Sequence, residues 1–584
     1  MKARLQGPPL PALRATTVIE ALRTAAASKL GLTFVDAAER ETLLPYAELH
    51  QRARKVAAAV AARGIVLGDR VAMVLPTGVG FMDAFFGALL AGAVPVPLYP
   101  PLRLGRLDEY HPRTARMIQL SGARMLVTDA RVRRLLGQSV AAAAPELGLC
   151  TVESLHAESN GELEVEADPQ SLAVVQFSSG TTVDAKPVAL THANVLANLA
   201  AIDAFLPESS GATQTGVSWL PLYHDMGLIG CLLEALYHPG ALCLIPPELF
   251  LARPALWLRA ISRHKAIISP APNFAYGLCT KRIRDDELTG VDLSSWKLAL
   301  NGAEPVSPAT LRAFADRFAP WKFAPEALTP VYGLSEASLA VTFSSPEARF
   351  STARVDGAHL ARTGIAQRGD REIVSVGRPL PGAAVEIRDR SGEVVEEGVV
   401  GRVFVEGPSV MARYLGGEAR TEPALDTGDL GFLQDGELYL AGRAKELVIL
   451  RGANHAPQVF EEALENLPGV RTGCAIAFGF VPPDAEGEEL GLLVERDSAE
   501  LPQAELIESI RARVVERTAI RPHTVSLLAP GTLPRTSSGK LRRGEAARQF
   551  QVGELAAPTR VNAFTVARAV VKSELALLMS RLGS

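Results

Sequence analysis

The sequence predicts an α/β protein in two unequal parts. A large N-terminal domain, residues 1–441, would be built of layered α/β subdomains and a small antiparallel region. A small C-terminal α+β domain, residues 442–584, would follow it. Three observations carry this expectation. Over the first 330 residues, short β-branched runs alternate with segments of helical periodicity, the pattern of parallel strands buried under helices. Beyond Arg378 the strand-like runs become shorter, as in an antiparallel region. From Gly442 a further set of strands and helices begins, and 584 residues are too many for one core.

The elements can be justified in order. "TVIEALRTAAAS" predicts a helix before the strand "LTFVD"; "AELHQRARKVAAAVAARG" with "RVAMVLP", and "TARMIQLSG" with "ARMLVTD", repeat the unit. The stretch from Val71 to Leu102 has Asp83 as its only charge and could imitate a membrane span. Pro76, Gly78, Gly80, Gly87 and Gly92 interrupt it, so it reads as buried strand, helix and buried strand. "GVSWLPL", "ALCLI" and "AIIS" predict further strands, and "GLIGCLLEALYHPG" and "PALWLRAISRHK" further helices. "AAVEIRD", "GRVFVEG" and "GELYLAG" predict the antiparallel region, with Asp435-Gly436 as a hairpin turn. The small domain would hold strand "ELVILRG", helix "PQVFEEALENL", strands "TGCAIAFGF" and "LGLLVER", helix "QAELIESIRARVVERT" and strand "TVSLLAP". In the tail, Phe564, Val571, Leu575, Leu578 and Leu582 share one helical stripe, which predicts a docked terminal helix.

Composition narrows the function. Sixty basic and sixty-four acidic residues give a net charge of -4, so no strong field draws the chain to nucleic acid or to an anionic membrane. The five cysteines show no metal-ligand spacing, which suits buried thiols in a reducing compartment. "MKARLQGPPLPALRA" has no apolar signal region. A cytoplasmic protein without integral membrane association is expected.

The most informative stretch is "VVQFSSGTTVDAKPVALTH", Val174 to His192. A strand runs into a burst of hydroxyls and glycine, then one lysine, then a helix start capped by Thr191. Ser178, Ser179, Gly180, Thr181 and Thr182 can present hydroxyls and N–H groups to a common concavity, with Lys186 as the cation. That composition suits phosphate. It lacks the G-x-x-x-x-G-K-[ST] spacing, and a Ser/Thr-rich surface turn would look the same.

Further motifs accompany it in order: "WLPLYHDMGLIG" (219–230), "NGAEPV" (301–306), "VYGLSEASL" (331–339), "TGDLG" (427–431), "GRAKELVILRGANHAPQVFEE" (442–462) and "LPRTSSGKLRR" (533–543). With these the chain resembles the adenylate-forming superfamily over about residues 15–545. The resemblance implies ATP and Mg²⁺ as cofactors and a mobile small domain. It implies that Ser179, Gly180, Thr181, Thr182 and Lys186 hold the ATP phosphates, that Ser335 meets the α-phosphate, and that Glu336 holds Mg²⁺. Gly302, Ala303, Glu304, Tyr332 and Gly333 would surround adenine, with Tyr332 stacked on it, while Asp429 and Arg443 would take the ribose. Lys540 would bridge carboxylate and phosphate in the transition state, making Lys540, Glu336 and Lys186 the catalytic set. His224 and Met226 would wall or gate the acyl pocket, and Lys445 would be the hinge. Without the resemblance these acids would be caps or surface groups, Tyr332 a core aromatic and Lys540 a solvated lysine. No second His or Cys stands at ligand spacing from His224.

Within the superfamily, forty residues separate Glu336 from Gly377. This long insertion, about 344–373, with "PLYHDMGLIG", "NGAEP" and "GANHAPQVFE", is similar to the fatty acyl-AMP ligases. Phe350, Val355 and Leu360 are its expected apolar anchors. The resemblance implies activation of a medium- or long-chain fatty acid to acyl-AMP with pyrophosphate release. Transfer to a phosphopantetheinylated acyl carrier protein, or to a polyketide or nonribosomal peptide synthase, would follow. Two alternatives stay open: an acyl-CoA synthetase, and a nucleotide-binding module that has lost catalysis. Retention of Lys540 and Glu336 argues against the second. The loop departs from the superfamily pattern at Val183, Ala185 and Pro187, where Gly, Pro and Gly are usual, so it should be stiffer.

Overall fold

Four parallel strands form the first sheet, in the order Val94–Leu98, Arg70–Val74, Ala123–Thr128, Leu149–Thr151. Helices Val79–Leu90, Leu107–Ser121 and Ala130–Ala143 connect them. This is a computed structural model; it describes all residues except 102, 179–185, 207–213, 483–486, 498–500, 537–538, 560 and 583–584. The apolar stretch that could imitate a membrane span is the buried strand–helix–strand unit that forms the first two strands of this sheet. Asp83, its one charge, is buried and accepts from Arg52 at 3.0 and 2.6 Å, with His156 Nε2 2.8 Å away. Pairing is what lets a charge sit there. Among the described residues no helix is long and apolar enough to cross a membrane.

A second sheet runs Thr215–Ser218, Ala241–Leu244, Gly31–Val35, Glu41–Pro45, with three parallel strands and one antiparallel edge. The strand expected at "AIIS" does not form. Ile268 makes only isolated bridges to Gly216 and Leu298, since Pro270 and Pro272 follow and remove the donors that would extend pairing. A third sheet contains Leu328–Gly333, which delivers the 331–339 motif. The strand Leu172–Phe177 pairs antiparallel with Pro187–Thr191, Phe177 opposite Pro187. Lys186 is therefore followed by a strand and not directly by a helix. The helix His192–Asp203 begins only after the second strand, with the expected Thr191 cap accepting from Asn194 N at 3.1 Å.

Five antiparallel strands, Arg4–Gln6, Ala384–Arg388, Gly401–Glu406, Leu425–Gln434 and Glu437–Arg443, make the expected antiparallel region. Asp435 (φ 53°) and Gly436 (φ 75°) form its hairpin turn, both in the left-handed region such a two-residue turn demands. The insertion folds as a small hairpin, Thr352–Val355 with Arg371–Val374, plus the helix Gly357–Thr363. Val355 and Leu360 are buried against Phe432 and Tyr439, and Phe350 packs, partly buried, on the main core.

Residues from 448 onward gather two further apolar clusters. Val470–Phe480 and Glu489–Arg496 pair antiparallel, Thr524–Leu528 adds in parallel, and Gln503–Thr518 covers the sheet. The helix predicted at "PQVFEEALENL" is regular only from Pro457 to Glu462 and closes in turns at Asn466 (φ 62°). The tail helix Ala563–Leu582 docks, but not through the predicted stripe. Phe564, Val571, Leu575 and Leu578 are exposed (75, 58, 54 and 55 %). The opposite face, with Ser573 and Leu577, lies on the helix Ala130–Ala143. Gly137 decides this: its N–H donates to Ser573 Oγ at 2.7 Å, and a Cβ there would meet the Ser573 carbonyl oxygen at 1.8 Å. Only a glycine permits so close an approach of the two backbones.

Candidate active site

A cavity of about 1540 Å³ opens between the N-terminal sheets and the C-terminal unit. The ends of several sheet strands supply its polar groups. Leu328–Gly333 ends in Tyr332, and the turn after it presents Ser335 and Glu336. Leu425–Gln434 and Glu437–Arg443 place Asp429 opposite Arg443. The segment after Ala299–Asn301 brings Ala303 and Glu304.

Buried Tyr332 donates its hydroxyl to Asp429 Oδ2 at 2.7 Å, and Arg443 Nε donates to Asp429 Oδ1 at 2.9 Å. Burial opposes the Arg443 charge, but Asp429 beside it raises the guanidinium's pKa overall. One buried carboxylate is thus held in a fixed orientation, each oxygen with a capacity for a further donor. Ser335 Oγ donates to Asp225, whose other oxygen lies 2.6 Å from His224 Nδ1. Burial pushes Asp225 up, yet His224 and Ser335 hold it well below the usual carboxylate range. His224 Nε2 is buried without a hydrogen-bond partner, and both His224 and Met226 line the cavity. Among the described residues no group of three His, Cys, Asp or Glu could hold a metal.

Glu336 accepts from the Tyr414 hydroxyl at 2.9 Å, and burial pushes its carboxyl above the usual range. The Lys186 ammonium sits 4.9 Å from the centre of the Tyr414 ring, a cation–π placement. Tyr414 therefore joins the loop cation to the buried acid. Glu304 accepts from Phe274 N at 2.6 Å, and burial raises its pKa as well. Ala303 has φ 71°. Gly302 packs behind it, where a Cβ would meet Val331 Cγ2 at 2.7 Å, and Gly333 lines the cavity.

Lys540 comes from the other side. Its loop is closed on itself: Thr536 N donates to Lys540 O at 2.7 Å and Lys540 N to Thr536 Oγ1 at 3.1 Å. The side chain enters the cavity near Asp225, Glu304, Asp429 and Arg443, and burial lowers its pKa. Lys445 stands in the turn that follows the strand Glu437–Arg443 and lines the cavity. Beside it, Arg543 pairs with Glu446 and with Glu461, the latter at 2.8 Å. Ser179, Gly180, Thr181 and Thr182 lie outside the described residues, as do Val183 and Ala185.

The structure brings together residues scattered over more than 350 positions, from Lys186 to Lys540. Sequence reasoning missed two of their partners. Asp225 stands in the quoted "YHDMG", and an acid next to a buried histidine was a usable signal. Tyr414 had none: a single aromatic in "MARYLGG" gives no sign that it will reach Glu336.

Comparison with known proteins identifies the family. Residues 22–415 match the family of AMP-binding enzymes. The medium-chain-fatty-acid–[acyl-carrier-protein] ligase JamA of Moorena producens is 31% identical over 558 residues, 90% of this chain and 92% of its own. The long-chain-fatty-acid–AMP ligase FadD26 of Mycobacterium marinum is 32% identical, covering 87% of this chain and 91% of its own. A structure from a study of fatty acyl-adenylate ligases of E. coli and L. pneumophila superposes with a TM-score of 0.86 at 34% identity, over 93% of this chain and 99% of that one. An L. pneumophila fatty acyl-adenylate ligase in complex with acyl adenylate and pyrophosphate gives 0.69 at 30% identity, over 92% and 96%. The chain belongs to the AMP-binding enzymes and is an adenylate-forming ligase similar to the fatty acyl-AMP ligases.

Proposed function

We propose that this ligase activates a medium- or long-chain fatty acid and hands the acyl group to the phosphopantetheine thiol of a carrier protein. The observation that carries the adenylation step is the convergence of Lys540 with Asp429, Tyr332, Arg443 and Glu336 in one cavity. In the first half-reaction a carboxylate oxygen bonds to the α-phosphorus of ATP, the bond to the bridging oxygen breaks, and pyrophosphate leaves. Two anions must approach each other, so a buried ammonium between them lowers the barrier most. Lys540 is that group in this reading, and its burial strengthens every charge interaction it makes. Asp429, fixed by Tyr332 and Arg443, accepts from the ribose hydroxyls and sets the nucleotide in line. Ala303, Glu304 and the Tyr332 ring flank the adenine, and Gly302 backs that wall. Ser335 turns from Asp225 to the α-phosphate.

Glu336 would be the protein carboxylate that holds Mg²⁺. Tyr414 holds that carboxylate, and its raised pKa reflects a buried charge that a cation would stabilise. The ion would supply charge neutralisation to the β- and γ-phosphates, with Lys186 and the 179–182 loop on the same groups.

The acyl chain is assigned to the apolar arm of the cavity lined by Ile202, Trp219, Met226, Gly230, Leu339 and Phe343, with His224 at its entrance. In the second half-reaction the thiol attacks the acyl carbonyl, the carbonyl–phosphate bond breaks and AMP leaves. Lys540 would occupy the thiol's path, so we assign residues 442 onward, up to the tail, to a unit that turns about Lys445. The insertion helix Gly357–Thr363 packs on strand Ala453–His455 of that unit, where it would restrict the turn; support for a carrier acceptor comes from this contact and from the likeness to JamA. The test is pyrophosphate release across fatty acids of increasing length, with product analysis against CoA and a phosphopantetheinylated carrier. Acyl-carrier formation with little acyl-CoA is expected. Efficient acyl-CoA formation would favour a CoA synthetase.

A further inference from the structure

Arg543 opens the helix Arg543–Gln551, three residues beyond Lys540. Its side chain is 13 % exposed and engages two carboxylates at once. Nε and one terminal nitrogen donate to the two oxygens of Glu461, each at 2.8 Å, and the other terminal nitrogen donates to Glu446. Glu461 stands on the helix Pro457–Glu462, and its Oε1 also accepts from Ala477 N, on the strand Val470–Phe480, at 3.0 Å. Glu446 directly follows Lys445, and its N–H donates to the Arg443 carbonyl oxygen at 3.0 Å. Burial opposes the Arg543 charge, but Glu461 and Glu446 raise the guanidinium's pKa overall.

For stability alone, a buried arginine between two acids has no advantage over well-packed apolar side chains. What the planar fork supplies is direction, because two of its nitrogens are fixed on one carboxylate while the third is aimed at another. Arg543 thereby joins the turn that contains Lys445 to the stem of the Lys540 loop. That stem is braced separately on its other side. Arg542 N donates to the Pro534 carbonyl oxygen at 2.9 Å, and Arg535 bridges Leu541. The Arg535 guanidinium donates to the carbonyl oxygens of Gly539 at 2.7 Å and Gly473 at 3.2 Å. Through Glu446, the stem is tied to the same turn that begins at Arg443, the partner of Asp429.

We propose that Arg543 is a positioning residue for adenylation: fixed by Glu461, it ties the Lys540 stem to Glu446 and so sets where the lysine stands relative to Arg443 and Asp429. The inference rests on the reading of Lys540 as the adenylation group. Glu446, Glu461 and Arg543 all lie beyond Lys445, so the link travels with the C-terminal unit as it turns. The bond from Glu446 N to the Arg443 carbonyl crosses the pivot and is given up in that turn.

The experiment uses the full chain and measures two rates: pyrophosphate release with fatty acid and ATP, and transfer from supplied acyl-AMP to a phosphopantetheinylated carrier. Glu446→Gln is the main variant, since it leaves Arg543 paired with Glu461. A misplacement of about 1 Å can cost about 10²-fold, so the kcat of adenylation should fall about 10- to 100-fold. KM for ATP should stay within about threefold, because Asp429, Tyr332 and Arg443 are untouched, and transfer should change as little. Arg543→Lys, which cannot hold both carboxylates in one fork, should show the same split. Burial among Asp225, Glu304, Asp429 and Arg443 lowers the Lys540 pKa. A lysine released from that position should therefore move the alkaline limb of adenylation up toward 10.5. A role in stability alone would lower both rates together and leave the limb in place; that result, or an unchanged adenylation kcat in folded Glu446→Gln, overturns the link. Near-normal pyrophosphate release by Lys540→Ala would overturn the reading beneath it instead.

Discussion

Lys540→Ala removes one ammonium from a buried position and leaves the rest of its loop, which is closed by backbone and Thr536 bonds, in place. The size of the loss follows from the setting. Two unit charges about 4 Å apart attract by roughly 4 kcal/mol at an effective dielectric of about 20, which is about three orders of magnitude in rate. Removing one fixed oxyanion donor from an enzyme typically costs about 10²- to 10³-fold. Lys540→Ala should therefore form acyl-AMP about 10²- to 10³-fold more slowly. Transfer from supplied acyl-AMP should be nearly unchanged, because that step takes place with Lys540 withdrawn. A second reading comes from pH. The lysine must be protonated to act, and burial lowers its pKa from 10.5. The wild-type adenylation rate should fall as pH rises through a value below 10.5, and the variant should lack that limb. Pyrophosphate release and acyl transfer are measured separately across pH. Near-normal pyrophosphate release by the folded variant, or an alkaline limb that persists in it, would refute the reasoning.

Three other outcomes are expected. Lys445→Pro fixes φ near -65° at the proposed pivot and should slow transfer from supplied acyl-AMP more than it slows adenylation; equal losses in the two assays would remove Lys445 from the hinge. Shortening the insertion while keeping Phe350, Val355 and Leu360 frees the strand Ala453–His455 and should yield measurable acyl-CoA at unchanged acyl-AMP output, whereas a folded deletion with no gain in acyl-CoA would mean that the insertion does not select the acceptor. His192 is buried, its Nδ1 accepts from Val18 N at 3.1 Å, and burial lowers its pKa to about 4. Its neutral form is favoured in the fold, so stability present above the unfolded pKa of about 6.5 is lost as pH falls toward 4. The loss should reach about 3 kcal/mol, read as a denaturation midpoint that drops over that window more in wild type than in His192→Gln; parallel curves for the two proteins would contradict it.

Much of this architecture was legible because burial writes itself into periodicity. The strand–helix–strand reading of this apolar stretch succeeded because prolines before and after the helix and the glycines at its ends break the run into pieces too short to span a bilayer. Asp435-Gly436 was legible because two left-handed residues in a row restrict the choice of side chain. The docking face of the tail was not. Its most apolar stripe, through Phe564 and Leu578, lies exposed, while the contact is made by Gly137 and Ser573, small residues whose value appears only when two backbones approach. "AIIS" failed as a strand for a local reason, since prolines beyond it withhold the donors a neighbour would need. Of the site, the described residues within quoted motifs, Gly302 apart, line one cavity, but their connections are long-range. That Tyr332 and Arg443 share Asp429, and that Tyr414 links Lys186 to Glu336, depends on pairings between strands distant in sequence.

The most direct measurement is fatty-acid-dependent exchange of labelled pyrophosphate into ATP, with acyl-AMP identified by mass in the same reaction. The account predicts exchange only when a fatty acid is present, rising as the chain fills the arm lined by Trp219, Met226 and Phe343, and collapsing in Lys540→Ala. Absence of exchange with every fatty acid tested, from a folded protein that binds ATP, would contradict it.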